Sequence, residues 1–360
     1  MSIAHASRAR IVVTALLGAL LAAPATLPSG AADAASATSG PAAAAGQVDS
    51  RRVVFDVDNT SAFTLACDPD GEAYRLRARL VGPTADLDGQ GDPLWVNVLV
   101  HDIGTGGWFW NLRTHPAYDY ATQLARAGQT SLVLDRLGYD SSPLADGWAT
   151  CLGAHSDMLH QVVQDLLSGD YRYTNAENGT PPVAAHVVTQ GHGVGGLIVQ
   201  AEAADFDDVD GVVIMSWADS GPTPTAVRHG LEQARGCVRD DFAPFAQSAS
   251  DFRGIMFDSA PASVQVAGSR RRTEDPCGDV ASLASLSGQD LGAGQVAAPV
   301  LLLFGARDVL IRPEARHAQA EKYATEPVMR IFRGTGSSLP LEEAAPRVRA
   351  LVLRWLGWLS

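Results

Sequence analysis

The sequence predicts an α/β fold, a mostly parallel sheet with helices on both faces. Two observations lead there. Short apolar runs alternate with helical patterns over most of the 360 residues. Turns rich in glycine, histidine and aspartate follow the runs directly, at the strand ends where such sheets keep their ligand crevice.

Taken in chain order, the first stretch is a targeting signal. Arg8 and Arg10 precede an apolar segment over 11–25 that is too short for a spanning helix, and small-residue cleavage patterns follow at Ala23-Pro24-Ala25 and Ala35-Ser36-Ala37. Residues 1–37 are therefore expected to be a signal peptide. The protein is expected to be secreted, with no stable membrane anchor in its mature form. Residues 38–50 begin with an Ala/Ser/Gly/Pro-rich stretch and read as a disordered lead-in. A single domain over 51–360 follows.

Within it, strands are predicted at 52–57 and 74–81 as an antiparallel lead-in, then at 95–100, 131–134, 183–188, 212–215, 300–304 and 328–332. Helices are predicted at 118–127, 156–167, 195–204, 314–323 and 345–358. The last of these sets Val348, Leu351, Val352, Trp355 and Leu356 on one face. Residues 220–294 break the rhythm, with short helices, Arg/Asp-rich loops and no clear strand. An insertion there covers the crevice as a lid, and Arg270-Arg271-Arg272 is read as its solvated face.

The chain carries a formal charge of −13 and four cysteines. Without a basic face, a nucleic-acid partner is excluded. An even cysteine count in an exported chain, with no Cys/His cluster, points to two disulfides and to no metal. Three pairings are open, of which Cys67–Cys151 with Cys237–Cys277 is favoured.

The strand-end motifs carry the chemistry. They are His101-Asp102-Ile103-Gly104-Thr105-Gly106-Gly107-Trp108, then Asp135-Arg136-Leu137-Gly138-Tyr139, Gly191-His192-Gly193-Val194-Gly195-Gly196, Gly305-Ala306-Arg307-Asp308, and Gly334-Thr335-Gly336-Ser337-Ser338. In order and spacing they resemble the α/β-hydrolase superfamily over residues 50–360, in particular secreted actinobacterial members of undefined substrate. The resemblance implies an eight-stranded, mostly parallel sheet, and a nucleophile elbow between a strand and a helix. It places the catalytic acid at Asp308 and the oxyanion amides at Ile103 and Val194. Asp102 replaces the glycine usual at its position.

Two departures decide the functional reading. The nucleophile position is Gly193, which has no side chain to attack with, and the histidine position is Ser337. His192 adjoins the elbow but is expected to point away from the nucleophile. Losing either a nucleophile or its base costs about 10⁶ in turnover, and losing the second adds little. The expectation is a pseudoenzyme that keeps a pocket for a small apolar ester, acid or lipid-like ligand, edged by His101, Trp108 and His192, with no cofactor. Restoring serine at 193 and histidine at 337 is expected to restore turnover.

Two other readings are weighed. A surviving esterase- or lipase-like hydrolase would need an unusual nucleophile such as Ser216, Ser337, Ser338 or Tyr139, each more often a loop hydrogen-bonder. A dinucleotide-binding protein would use Gly191-x-Gly193-x-x-Gly196 with Asp219, but that fingerprint normally follows the first strand of its unit, and several strands precede it here. For Asp308 the plainer role is to hold loop amides. For Trp108-Phe109-Trp110 it is to anchor the oxyanion loop.

Overall fold

The computed structural model describes residues 47–360 apart from 62–64, 66, 91–92 and 287–288. The expected signal peptide, and the lead-in as far as residue 46, lie outside the described residues. The strands are β1 (Val48–Asp58), β2 (Ala73–Pro83), β3 (Trp95–Val100), β4 (Thr130–Asp135), β5 (Arg172–Tyr173), β6 (His186–His192), β7 (Gly211–Met215), β8 (Phe242–Ala243), β9 (Asp275–Pro276), β10 (Val300–Gly305) and β11 (Val328–Phe332). The helices are α1 (Thr84–Leu87), α2 (Tyr120–Ala125), α3 (Leu152–Ser168), α4 (Val194–Phe206), α5 (Pro224–Gly236), α6 (Ala249–Met256), α7 (Ala262–Ser269), α8 (Cys277–Ser285), α9 (Pro313–Ala320) and α10 (Ala345–Leu359).

One sheet organises these elements in the order β11-β10-β7-β6-β3-β4-β2-β1-β5. The six strands from β11 to β4 are parallel. β2 joins β4 antiparallel, β1 joins β2 antiparallel, and β5 closes the edge against β1. Burial follows topology. Every residue of β7 and β10 is buried, as a doubly covered strand requires, whereas β1 and β2 alternate toward solvent. α4 is buried almost all round because it lies between the sheet and α3.

The sheet has nine strands where eight were expected. β5 spans two residues and pairs with Val53 and Val54, too short to leave a periodic signal. β6 also runs further than the predicted 183–188. Its polar residues suggest a strand end, but inside the sheet they are satisfied. The Gln190 amide donates to Asn97 Oδ1 at 2.8 Å, and the Tyr120 hydroxyl donates to Gln190 Oε1 at 2.8 Å. β1 begins at Val48, earlier than the predicted start.

The segment 220–294 holds α5–α8 and the small β8–β9 ladder, and it is fastened to the strand ends at three points. The Gly104 amide donates to Asp275 Oδ1 (2.6 Å). Arg136 and Tyr139 both bond Asp279 Oδ2, at 3.1 and 2.9 Å, while His155 Nε2 lies 3.0 Å from Asp279 Oδ1. The amides of Asp258 and Ser259 donate to Glu342, which is fully buried. Both favoured disulfides are present, Cys67–Cys151 and Cys237–Cys277. The second ties the end of α5 to the start of α8.

Closing a loop of 40 residues removes unfolded-state entropy on the order of 4 kcal/mol. The double change Cys237→Ala, Cys277→Ala is expected to lower unfolding free energy by about 2–4 kcal/mol in urea. Hydrogen exchange should then speed up across α5–α8 while the amides of β7 and β10 keep their protection. Equal loss in both regions would show that the lid does not open separately from the sheet.

Candidate active site

Three glycines let the β6–α4 turn approach the sheet. Gly193 adopts φ 53°, ψ −125°, a region that disfavours side chains, and its N–H donates to Met215 O. At Gly195 a Cβ would sit 2.3 Å from Val100 O, and at Gly191 it would sit 2.1 Å from Gly195 O. The turn therefore has the tight strand-to-helix geometry of a nucleophile elbow, with glycine at its tip.

The volume where a side chain at 193 would begin is already filled. A Cβ there would fall 2.0 Å from Asp102 Oδ2. The other oxygen, Asp102 Oδ1, accepts from the Ile103 amide at 2.8 Å and the Val194 amide at 2.7 Å. These are the two amides that the resemblance assigns to the oxyanion hole. Here an internal carboxylate sits in it, at the N-terminus of α4, where backbone N–H groups favour negative charge. Asp102 is 5% exposed. Burial pushes its carboxyl up to about 6, opposed by the two amides and the Arg136 charge.

His192 turns toward this carboxylate, contrary to the expectation that it points away. Its Nε2–H donates to Ser337 O at 3.0 Å, which leaves Nδ1 bare and 3.6 Å from Asp102 Oδ2. The reason is packing: the ring stacks on Phe109 with centroids 4.4 Å apart. Burial pushes its pKa down to about 4, against the pull of the Ser337 carbonyl and the Asp308 charge. Two lone-pair atoms that face one another inside the protein favour a single proton between them.

Ser337 is buried, with its Oγ 3.5 Å from His192 Nε2, and its carbonyl also accepts from the Ser216 hydroxyl at 2.9 Å. Asp308 accepts from the Leu310 amide at 2.8 Å. Burial raises its carboxyl, opposed by that amide, the His192 ring and the Ser216 hydroxyl. Asp308, His192, Ser337, Ser216, Asp102 and Gly193 are thus gathered at one place, all of them buried.

The remaining candidates have structural partners. His101 is fully buried, its Nδ1–H donating to Asp102 O (2.8 Å) and its Nε2 accepting from the Arg136 amide. Tyr139 donates to Asp279, and Ser338 is buried. Trp108 is half-buried at the rim of a different groove, while Phe109 and Trp110 are in the core. The Val194 amide that a dinucleotide phosphate would need is taken, and Asp219 is bound by Lys322, Trp217 and Gln200. Among the described residues, His160, Glu202 and Asp208 have side-chain atoms close enough to hold a metal ion, but toward the far end of α4, with His160 Nδ1 already 2.7 Å from Asp208.

The chain is similar to known proteins in family and fold. The family model described as the alpha/beta hydrolase family matches residues 98–351. Among solved structures, a thermophilic esterase from Thermogutta terrifontis is similar at 18% identity and TM-score 0.58, covering 85% of this chain and 99% of that one. A monoacylglycerol lipase from Paleococcus ferrophilus is similar at 20% identity and TM-score 0.54, covering 75% and 97%. A hydrolase from Pseudomonas aeruginosa is similar at 18% identity and TM-score 0.58, covering 79% and 95%. No curated protein matches.

The buried pair gives a signed pH prediction. Asp102, raised from 3.8 to about 6, binds its proton better in the folded state, so its contribution is full below 3.8 and lost as pH rises through 6. His192, lowered from 6.5 to about 4, acts oppositely: it contributes stability as pH rises from 4 through 6.5. In the wild type these slopes oppose one another. Asp102→Asn keeps the acceptor for both amides but removes the first slope. Urea unfolding from pH 4 to 7 should show the variant gaining stability with pH more steeply, by up to about 3 kcal/mol across the window. Parallel curves would refute the raised Asp102 carboxyl.

Proposed function

We propose that this chain, which belongs to the alpha/beta hydrolase family, is an exported member that has given up serine-type hydrolysis and acts by binding. One observation carries the reading: a carboxylate oxygen of the protein's own Asp102 sits between the Ile103 and Val194 amides at 2.8 and 2.7 Å. In hydrolytic chemistry those two donors receive the oxyanion of the tetrahedral intermediate. Here an oxygen of the protein already holds that position, and an incoming oxyanion would have to displace it.

Loss of the nucleophile alone leaves a residual rate of about 10³–10⁴ over water, which comes from the oxyanion hole and binding. With the hole filled, that residue is removed as well. The ligand class narrows for the same reason. An ester at the elbow needs free amides. A small carboxylic acid, lipid-like or not, can exchange its carboxylate for that of Asp102. Export is supported by the two disulfides, which fit an oxidising compartment, and by the charged, apolar N-terminal pattern. No helix among the described residues is long and apolar enough to cross a membrane.

The test revises the expected rescue. Serine at 193 would start 2.0 Å from the Asp102 carboxylate, so Gly193→Ser with Ser337→His should stay near background on short-chain nitrophenyl esters. Adding Asp102→Gly vacates the amides and should raise turnover by about 10²–10³ over that double variant. Turnover by the unmodified protein above background, abolished by His192→Ala or Asp308→Ala, would establish a surviving hydrolase and overturn the proposal.

A further inference from the structure

A second cleft lies beside the closed crevice, and its chemistry differs from the rest of the molecule. It has a volume of about 830 Å³, within the range of small-molecule sites. None of Gly193, Asp102, His192 or Ser337 lines it. Five arginines do: Arg52 on β1, Arg77 and Arg79 on β2, Arg113 from the loop before α2, and Arg271 from the lid. They converge in a chain whose net charge is −13.

No carboxylate pairs with them directly. Among the described residues, no ion pair within 4.0 Å includes any of the five. The side-chain hydrogen bonds they make go to neutral acceptors: Arg77 to Ser141 O, Arg79 to Ser50 Oγ, and Arg271 to Ala267 O. Two acids also line the cleft and offset part of the charge from beyond contact distance. Asp135 stands opposite Arg77 in the β2–β4 ladder and near Arg79, and Asp140 lies toward Arg271, so five arginines face two carboxylates. Asp135 accepts from the Gly107 amide and from Ser141, and Asp140 lies against the backbone at Gly106.

The arrangement costs stability. Arg52 and Arg79 are direct cross-strand partners in the β1–β2 ladder, and like charges in such a pair destabilise it. Arg79 is half-buried, and its hold on its proton is weakened by burial and by the charges of Arg113 and Arg52. Five planar forks supplied by four separate segments, with the half-buried Trp108 at the wall, form a site for planar or tetrahedral oxyanions.

We propose that this cleft binds a compact polyanion carrying two or more phosphate or sulfate groups, and that Arg271 engages it from the lid. The inference does not depend on the elbow being silent. Bound anion supplies the missing counter-charge, so the ligand stabilises the ladder that is strained without it.

Calorimetric titration of the full chain at low salt tests this with pyrophosphate and inositol hexakisphosphate as phosphate probes and a trisulfated disaccharide as the sulfate probe. At least one probe should bind, with affinity falling as salt rises. Arg79→Gln and Arg113→Gln should each weaken it about tenfold or more. Arg52 makes no side-chain hydrogen bond, so Arg52→Gln should weaken binding and yet raise the ligand-free melting midpoint by about 1–3 °C. Arg75→Gln removes the same charge from a residue paired with Asp56 outside the cleft and should leave affinity unchanged. Failure of all three probes, or equal weakening by Arg75→Gln, would overturn the assignment.

Discussion

Two backbone amides aimed at one carboxylate oxygen set the terms for the whole strand-end surface. Asp102 reaches them from the end of β3, and its second oxygen then lies where a side chain at 193 would start. Aspartate in this position at 102 therefore requires glycine at the elbow. With Asp102 in place, no Cβ fits at 193. With glycine at 193, the amides face an empty volume, and a buried pair of donors left unsatisfied would cost about 1–3 kcal/mol each. The internal carboxylate meets that need at the price of a raised pKa, and the bare His192 nitrogen beside it takes part in holding the proton.

The same logic extends outward through the loop 101–108. Its amides are held by three carboxylates from three directions: Ile103 by Asp102, Gly104 by Asp275 of the lid, and Gly107 by Asp135 of β4. Asp279 adds a fourth buried acid, bound by Arg136, Tyr139 and His155. Breaking a buried, paired charge of this kind costs about 3–5 kcal/mol. The segment 220–294 is thus fastened by groups that cannot be exposed cheaply.

Much of this was legible in the chain. The eight longer strands, the order of the strand-end motifs, the glycine tip at 193 and the departure at Asp102 are all visible in sequence, because periodicity and turn chemistry are local. What the departure at Asp102 does was not legible. Its significance lies in a contact with Val194, 92 positions away, which no local pattern encodes. His192 was misjudged for a related reason. The turn constrains the backbone, but the ring direction follows from Phe109 and the Ser337 carbonyl. β6 ended too early in the reading because Gln190 looks like a strand terminator until Asn97 and Tyr120 are placed around it. The arginines of the cleft are scattered from 52 to 271, and only the β1–β2 register brings Arg52 opposite Arg79.

A closed crevice and a partly neutralised cleft are two outcomes of one arrangement of charge. Asp135 gives one oxygen to the Gly107 amide, and the two acids of the cleft leave its five arginines in excess. A hydrolase keeps its loop amides free for a transient oxyanion and can spend its carboxylates on surface ion pairs. Here the amides hold resident carboxylates, and an excess of positive charge stands on the side that Trp108 and Arg271 line. The loop 101–108 is the wall between the position that Asp102 fills and the open cleft.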